Sequence, residues 1–448
     1  MDAIRHKTGI SVEALRKEEE GVIGAWGIAS SVSDVEGLAL DLGGGSMQMT
    51  WITSHAGNIS NGAKAKRKRT KLGSNFAGKW QATFAPLLIP SMSLNSSFKE
   101  PESKGDFLFT SQGGGFRGWG YLLLYLHQTK GQSYPISIIN GYTAPKKDFE
   151  DTEALKEVAR TAHEIFRVSD RRRKQVPSVA FLVKTLAESL PHGINEAHFC
   201  QGGVREGVLF REMLPVVRQQ DPLEVATARY APPSAEALAA LLLAALPRPS
   251  ASRSFPSSIS LHLVQAFANA LYYHATMSKE LSSSAALYST STGILASTHG
   301  IPHDHRALLA LMLQERYGGE LPPRDVEFKT HLQGILTPEE VWWTRYLGKL
   351  GFVLGQLYPT GSIDTSKPRI IPSAQWKNGL GKKGKKEGLD LTISIQKVAY
   401  DPSHLRQELE NDVQKIQKVG KRKNWIGGRN GWGIKVRVSV IEEDLVAR

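Results

Sequence analysis

Two strand-like runs, Gly37–Asp41 and Met47–Ile52, flank Gly43-Gly-Gly-Ser46, so this stretch is expected to be a glycine hairpin with Asp41 at its mouth. Upstream, Ile10–Leu15 alternates like a strand, and helical spacing runs from Glu18 towards Ser31. Further on, Asp106–Ser111 predicts a strand, Gln112–Gly118 a glycine loop, Trp119–His127 an apolar helix and Ile136–Asn140 another strand. Helical spacing returns over Asp151–Phe166 and Val179–Leu190. Ala197–Gln201 then enters a third glycine turn, Gly202-Gly-Val-Arg-Glu-Gly207, with a helix behind it.

From Asp221 the pattern shifts to long apolar helices over Ala235–Leu246, Ile259–Leu271, His305–Glu315 and Pro338–Leu357, broken at the Pro/Ser-rich Pro247–Ser258. The tail reads strand Leu389–Gln396, helix Ser403–Val419 and strand Gly433–Ile441, behind a basic Lys382–Lys386 linker. Residues 54–104 keep no sustained period and include the basic run Ala63–Lys71, which predicts an irregular insertion. Four regions result: 1–36, 37–220 with the insertion, an all-α 221–375, and a basic linker with a small α+β appendage over 376–448.

At 448 residues the chain is long enough for two or three cores. Lys and Arg number 56 against 43 Asp and Glu, a net +13 that favours polyanionic partners without choosing among them. One cysteine, Cys200, excludes a disulfide framework and a Cys-rich zinc site, fits a reducing cytosol or nucleus, and is expected to be a core thiol. The longest apolar run, Ala237–Leu246, is about half of the ~20 residues a membrane span needs, and the first residues are not a signal peptide.

A Gly-Gly-Gly-Ser turn lets backbone N–H groups approach an anion, and a preceding carboxylate can hold the divalent cation that neutralises phosphate oxygens. Asp41, Gly43, Gly44, Gly45 and Ser46 supply those parts; the alternative is a hairpin whose Asp41 caps its own turn.

The flank Thr8-Gly-Ile-Ser-Val-Glu-Ala-Leu15, then Glu18-Glu-Glu-Gly21, then Leu40-Asp-Leu-Gly-Gly-Gly-Ser46 resembles the middle motifs of the exopolyphosphatase/guanosine pentaphosphate phosphatase family. Gln112-Gly-Gly-Gly-Phe-Arg-Gly118 and Gly202-Gly-Val-Arg-Glu-Gly-Val-Leu209 are similar to its later glycine motifs. Phe116-Arg-Gly-Trp119 and Asn424–Gly433 point to its fungal retrograde-regulation branch. The resemblance implies an actin-like α/β ATPase fold of the sugar kinase/Hsp70/actin, ribonuclease H-like type, followed by a helical HD-like domain and the α+β appendage. It implies Mg²⁺ with ATP or polyphosphate as ligands, Asp41 on the metal, and Gly113, Gly114, Gly115, Gly202 and Gly203 closing on the nucleotide. Glu20, which precedes Gly21, matches the family's general base; the bland alternative is a solvated helix start. It further implies a cytoplasmic regulator of mitochondrion-to-nucleus signalling, shuttling to the nucleus left open, with protein partners in a signalling complex and a homodimer also open.

The family's first phosphate motif, an Asp-x-Gly-Ser-Asn-Ser turn, has no counterpart here, so an N-terminally incomplete fold and weak or absent hydrolysis are expected. In the helical region, Leu295–Arg306 is the most recognisable stretch, yet Tyr288-Ser-Thr-Ser-Thr-Gly293 stands where a His-Asp pair should be. His299, His303, Asp304 and His305 are the remaining metal candidates, and the domain is expected to be degenerate.

Three rivals stand beside this reading. One is an active Mg²⁺-dependent phosphatase acting on the terminal phosphoanhydride of polyphosphate or a guanosine polyphosphate. Another is a dinucleotide-binding enzyme, from Gly113-x-Gly115-x-x-Gly118, although Ser137–Asn140 offers no carboxylate for a ribose. The third is a nucleic-acid module, from Lys66–Arg69, Arg171–Lys174, Lys382–Lys386 and Lys421–Lys423. Without interleaved aromatics these runs read as solvated faces or an import signal.

Overall fold

The computed structural model describes residues 2–9, 17–32, 35–42, 47–55, 58–59, 65–68, 108–129, 131, 134–189, 194–250, 253–381, 384, 386–396 and 402–443. The chain forms two compact units, Met1–Gln220 with His299–Pro302 and Asp221–Thr298 with His303–Arg448.

In the first unit, helices α1 (Asp2–Thr8) and α2 (Lys17–Ala29) precede strands β1 (Val35–Leu42), β2 (Met47–His55), β3 (Asn58–Ile59), β4 (Ala65–Lys68) and β5 (Leu108–Gln112). Then come α3 (Gly113–Thr129), β6 (Tyr142–Pro145), α4 (Lys146–Phe149), α5 (Thr152–Thr161), α6 (Asp170–Arg173), α7 (Val176–Ser189), β7 (Glu196–Phe199), α8 (Val204–Glu212) and α9 (Pro215–Arg218). The strands form one sheet in the order β3-β2-β1-β5-β7-β6, with β4 also paired to β2. Strands β1, β5 and β7 run parallel, whereas β2 and β6 are antiparallel to their neighbours.

Several expectations change. Part of the basic run in the expected insertion, Ala65–Lys68, is a strand that covers β2, pairing Met47 with Lys68; an edge left bare would expose backbone donors and acceptors. No strand forms over Ile136–Asn140, and the edge strand is Tyr142–Pro145 instead. Ile10–Leu15 lies outside the described residues.

One face of the sheet carries α3, α5 and α7 around Trp119, Leu122, Leu155, Val183 and Phe199, all buried. The other carries α2, whose Ala25 and Ile28 meet Ala39, Ile52 and Cys200. Helix α8 lies against α2 through glycines. A Cβ on Gly207 would land on the Ile23 carbonyl oxygen, one on Gly202 on the Gly27 carbonyl oxygen, and one on Gly27 on that of Gly203. Mid-helix glycine normally costs about 1 kcal/mol, and here it is what lets the two backbones touch. Trp26 closes one end of the seam, with the Phe210 ring 6.2 Å away and the Arg218 guanidinium 4.8 Å over its indole.

The second unit has eight α-helices and three strands among the described residues. The first seven are α10 (Pro222–Ala228), α11 (Ala235–Ala244), α12 (Leu261–Ala270), α13 (Lys279–Tyr288), α14 (His303–Tyr317), α15 (Pro323–Ile335) and α16 (Pro338–Leu357). Behind them come β8 (Ile370–Leu380), β9 (Lys386–Gln396), α17 (Pro402–Val419) and β10 (Lys435–Glu443). Starts follow local chemistry: Asp221 accepts from the Leu223 and Glu224 amides at 2.9 and 3.0 Å, and Thr337 with Glu340 forms a reciprocal cap ahead of α16. Gly348, Gly351 and Gly355 line the side of α16 that meets Glu315, Phe267 and Arg316. This brings α14 close enough to bury Glu315 between Lys329 and Lys349, at 2.7 and 2.8 Å.

The expected all-α region thus ends earlier, because β8 starts at Ile370; of the expected basic linker, Lys386 opens β9, and Lys382, Lys383 and Lys385 lie outside the described residues. Strand β9 is central, antiparallel to β8 and parallel to β10. Its Asp390, whose side chain is only 5% exposed, accepts from Arg437 Nε at 2.6 Å and from Lys377 Nζ at 2.9 Å. No described helix is long and apolar enough to cross a membrane.

Gly207→Ala should lower unfolding free energy by about 1–3 kcal/mol in denaturant titration, because its methyl meets backbone that cannot yield. Gly334→Ala, on α15 with open space around it, should raise that energy by up to about 1 kcal/mol. Glu315 is the pH-sensitive group. Burial alone would raise its pKa, but Lys329 and Lys349 bring it down from 4.5 to about 2. Its contribution is therefore present above pH 4.5 and lost as pH falls towards 2, so Glu315→Gln should flatten the acid limb of stability by roughly 3 kcal/mol.

Candidate functional site

Three of the proposed phosphate-contacting segments follow strands that end on the same side of the sheet. Leu40 on β1 lies in register with Ser111 on β5, and Ser111 with Phe199 on β7, all three strands running the same way. The chain beyond that row carries Gly43–Ser46 after β1, Gly113–Gly115 after β5 and Gly202–Gly203 after β7. In parallel sheets this carboxyl edge is where ligands bind. Gly43, Gly44, Gly45 and Ser46 themselves lie outside the described residues.

Asp41 is half-buried at the end of β1 and pairs with Gln112, the last residue of β5. Strand β5 then passes straight into α3, so the expected glycine loop over Gln112–Gly118 is the first turn of a 17-residue helix. The first four amides of a helix have no intrahelical acceptor, and the macrodipole adds partial positive charge there. Such a start is an anion site of the kind that cradles phosphate. Gly115 also has a packing reason, because a Cβ there would run into the Leu42 side chain. The fingerprint Gly113-x-Gly115-x-x-Gly118 does sit at a strand-to-helix junction, but Asn140, near the place a ribose-binding acid would occupy, spends its amide oxygen on the Gln201 N–H at 3.1 Å.

Gly202 and Gly203 reach the same edge with their amides already engaged. The Gly202 N–H donates to Ser31 Oγ at 3.0 Å, and the Gly203 N–H to Glu206 Oε2 at 2.8 Å. Capping draws the Glu206 carboxyl below its ordinary value despite partial burial. Neither Ser31 nor Glu206 was picked out from sequence; the three-residue spacing from Gly203 to Glu206 is the signal that could have found the second.

Glu20 is half-buried in the first turn of α2, the helix that joins the seam with α8. One or two carboxylates with retained water suffice for Mg²⁺, so Asp41 at this edge fits that ion. Among the described residues, no group of three or more His, Cys, Asp or Glu could hold a metal.

In the second unit Asp304 accepts from the backbone and Nδ1 of its neighbour His305, at 2.7 and 3.1 Å. His303 is buried, and His299 belongs to the first unit. Against the Thr290 stretch lies a fully buried Arg306 of α14, which donates to the carbonyls of Thr290, Leu295 and Thr298, the latter two at 2.8 and 2.5 Å. Burial lowers its pKa to about 10, so it remains a cation near neutrality.

Comparison with known proteins adds sequence evidence. The Ppx/GppA phosphatase family matches residues 1–65 and 95–215, and the RTG2 C-terminal domain matches residues 221–444. Retrograde regulation protein 2 of Saccharomyces cerevisiae is 33% identical over 393 residues, covering 81% of this chain. The chain spans 65% of that relative's length. Among solved structures, a Cytophaga hutchinsonii exopolyphosphatase is 16% identical, covers 47% of this chain and 67% of its own, and has a TM-score of 0.33. The Aquifex aeolicus Ppx/GppA phosphatase is 20% identical, covers 48% and 69%, and scores 0.31.

Cys200 sits directly between β7 and Gly202, 1% exposed, and burial pushes its thiol up to about 12. It should therefore resist alkylation by iodoacetamide in the folded protein at pH 8 and react fully only in denaturant, as read by intact mass. Fast native labelling would place the thiol at an open edge instead.

Proposed function

Because the chain belongs to the family in which a Ppx/GppA phosphatase-type domain is joined to the RTG2 C-terminal domain, we propose that it is a phosphate- or ATP-binding regulator of mitochondrion-to-nucleus retrograde signalling. The observation that carries the binding half of this reading is the sheet edge where Asp41 stands beside Gln112 and the Gly113–Gly115 start of α3. The signalling half rests on the likeness to the yeast retrograde regulation protein. A cytoplasmic location and protein partners belong to the same proposal.

In this reading the α3 amides hold phosphate oxygens and Asp41 holds Mg²⁺, which when bound neutralises charge on those oxygens. Glu20 is the residue proposed to orient or deprotonate a water. Binding is favoured over fast hydrolysis because the Gly202 and Gly203 amides are committed to Ser31 and Glu206, which leaves fewer donors for charge that builds up in phosphoryl transfer. The helical unit is proposed to be a degenerate HD-like domain with a structural or partner-binding role. Arg306 supports this, since a guanidinium fixed against the Thr290 stretch repels a metal cation there.

Titration calorimetry with Mg-ATP tests the site. Asp41→Asn should weaken binding by about 1–3 kcal/mol with little change in melting temperature, because the amide nearly preserves shape. Unchanged affinity in a folded Asp41→Asn protein would falsify the binding reading. Rapid Mg²⁺-dependent phosphate release from polyphosphate, abolished in Glu20→Gln, would replace the regulatory reading with that of an active phosphatase.

A further inference from the structure

The arginine run at Arg171–Lys174 lacks aromatic neighbours in sequence, but the fold supplies them. Tyr121, on α3, meets the Phe166 ring edge to face at 5.8 Å and 82°. Phe166 is 60% exposed, and the Arg167 guanidinium lies 5.5 Å over its ring. Arg117, Arg167 and Arg172 all lie close enough to the Tyr121 hydroxyl to oppose the rise in pKa that burial causes. None of Arg117, Arg167, Arg171 and Arg172 makes an ion pair among the described residues; the neighbouring Asp170 lies 3.8 Å from Arg173 instead. Arg172 does donate to the Arg167 carbonyl at 3.2 Å, which holds the loop against α6.

Arg167 is the only non-glycine residue with positive φ among the described residues, at 59°. A long side chain in that region is strained, and such strain persists where the surroundings impose it. At this position it keeps a guanidinium stacked on an outward-facing ring.

We propose that Tyr121, Phe166, Arg167, Arg171 and Arg172 form a platform for a single-stranded polynucleotide, with a base stacked on Phe166 and phosphates along the arginines. This goes beyond the nucleotide site and does not depend on it. Unpaired arginines alone would suit any polyanion. An exposed aromatic ring under a guanidinium contributes only when the ligand carries flat bases, and base stacking on such rings tolerates any sequence.

Fluorescence anisotropy of the full chain with labelled oligo(U) and oligo(dT) twelve-mers, against unlabelled inorganic polyphosphate of similar length, tests this. Phe166→Ala, a change at an exposed position, should weaken oligomer binding about tenfold and leave competition by polyphosphate unaltered. Arg167→Gly relieves the left-handed backbone, so it should weaken oligomer binding while the melting temperature holds or rises. Whichever oligomer binds more tightly identifies the polymer. The platform is refuted if neither oligomer binds at low salt, or if Phe166→Ala leaves oligomer affinity unchanged.

Discussion

The first unit is organised by a contact in which two helices touch backbone to backbone. Gly27 on α2 and Gly202 and Gly207 at the start of α8 leave no room for a methyl group. That closeness seats Ala25 and Ile28 over Ala39 and Cys200, and it brings the Ser31 hydroxyl to the Gly202 amide. The same contact therefore sets both the packing of one sheet face and the number of amides left at the ligand edge. Glycine motifs that look alike in sequence have separate physical roles here: Gly113–Gly115 open a helix towards that edge, whereas Gly202–Gly207 hold two helices together.

Helix α16 uses a comparable device in the second unit. Gly348 and Gly355 admit Glu315 and Arg316 of α14 into spaces that larger residues would fill. Burying charge is costly unless each ion is matched, and Glu315 is matched by two lysines. Arg316, 6% exposed, is instead flanked by rings, with its guanidinium 4.9 Å from the Tyr317 centroid and 5.9 Å from that of Tyr272. Cation–π attraction offsets part of its desolvation, which still holds its pKa below the usual arginine range.

Much of this architecture was legible from periodicity. Pro338–Leu357 matches its expected bounds because a capping box and Pro338 mark its start in sequence. The β1–β2 hairpin was legible because its apolar residues flank a glycine run. Strand β8 was missed because Pro372, Asn378 and Gly379 are strand breakers; Pro372 is tolerated because β8 is an edge strand, and the register shift between Lys377 and Leu380 accommodates Asn378 and Gly379. The engagement of Gly202 depends on Ser31, 171 residues away, and no local pattern reports a partner at that distance. Tyr121 and Phe166 likewise come together only through the fold, so a run of arginines read as a plain solvated face.

The buried carboxylate of Asp390 has a bearing on how the C-terminal sheet assembles. Its two partners arrive on separate strands, Lys377 from β8 and Arg437 from β10, and between β9 and β10 the chain must first form α17. A hairpin of β8 and β9 alone leaves Asp390 with Lys377 but without the two Arg437 hydrogen bonds, and a one-residue slip of either neighbour turns its cation to the opposite face. Misaligned pairings thus leave the buried carboxylate short of donors, and the three-strand arrangement is the one that satisfies it. Residues 435–443 accordingly complete the folding unit and do not merely extend it.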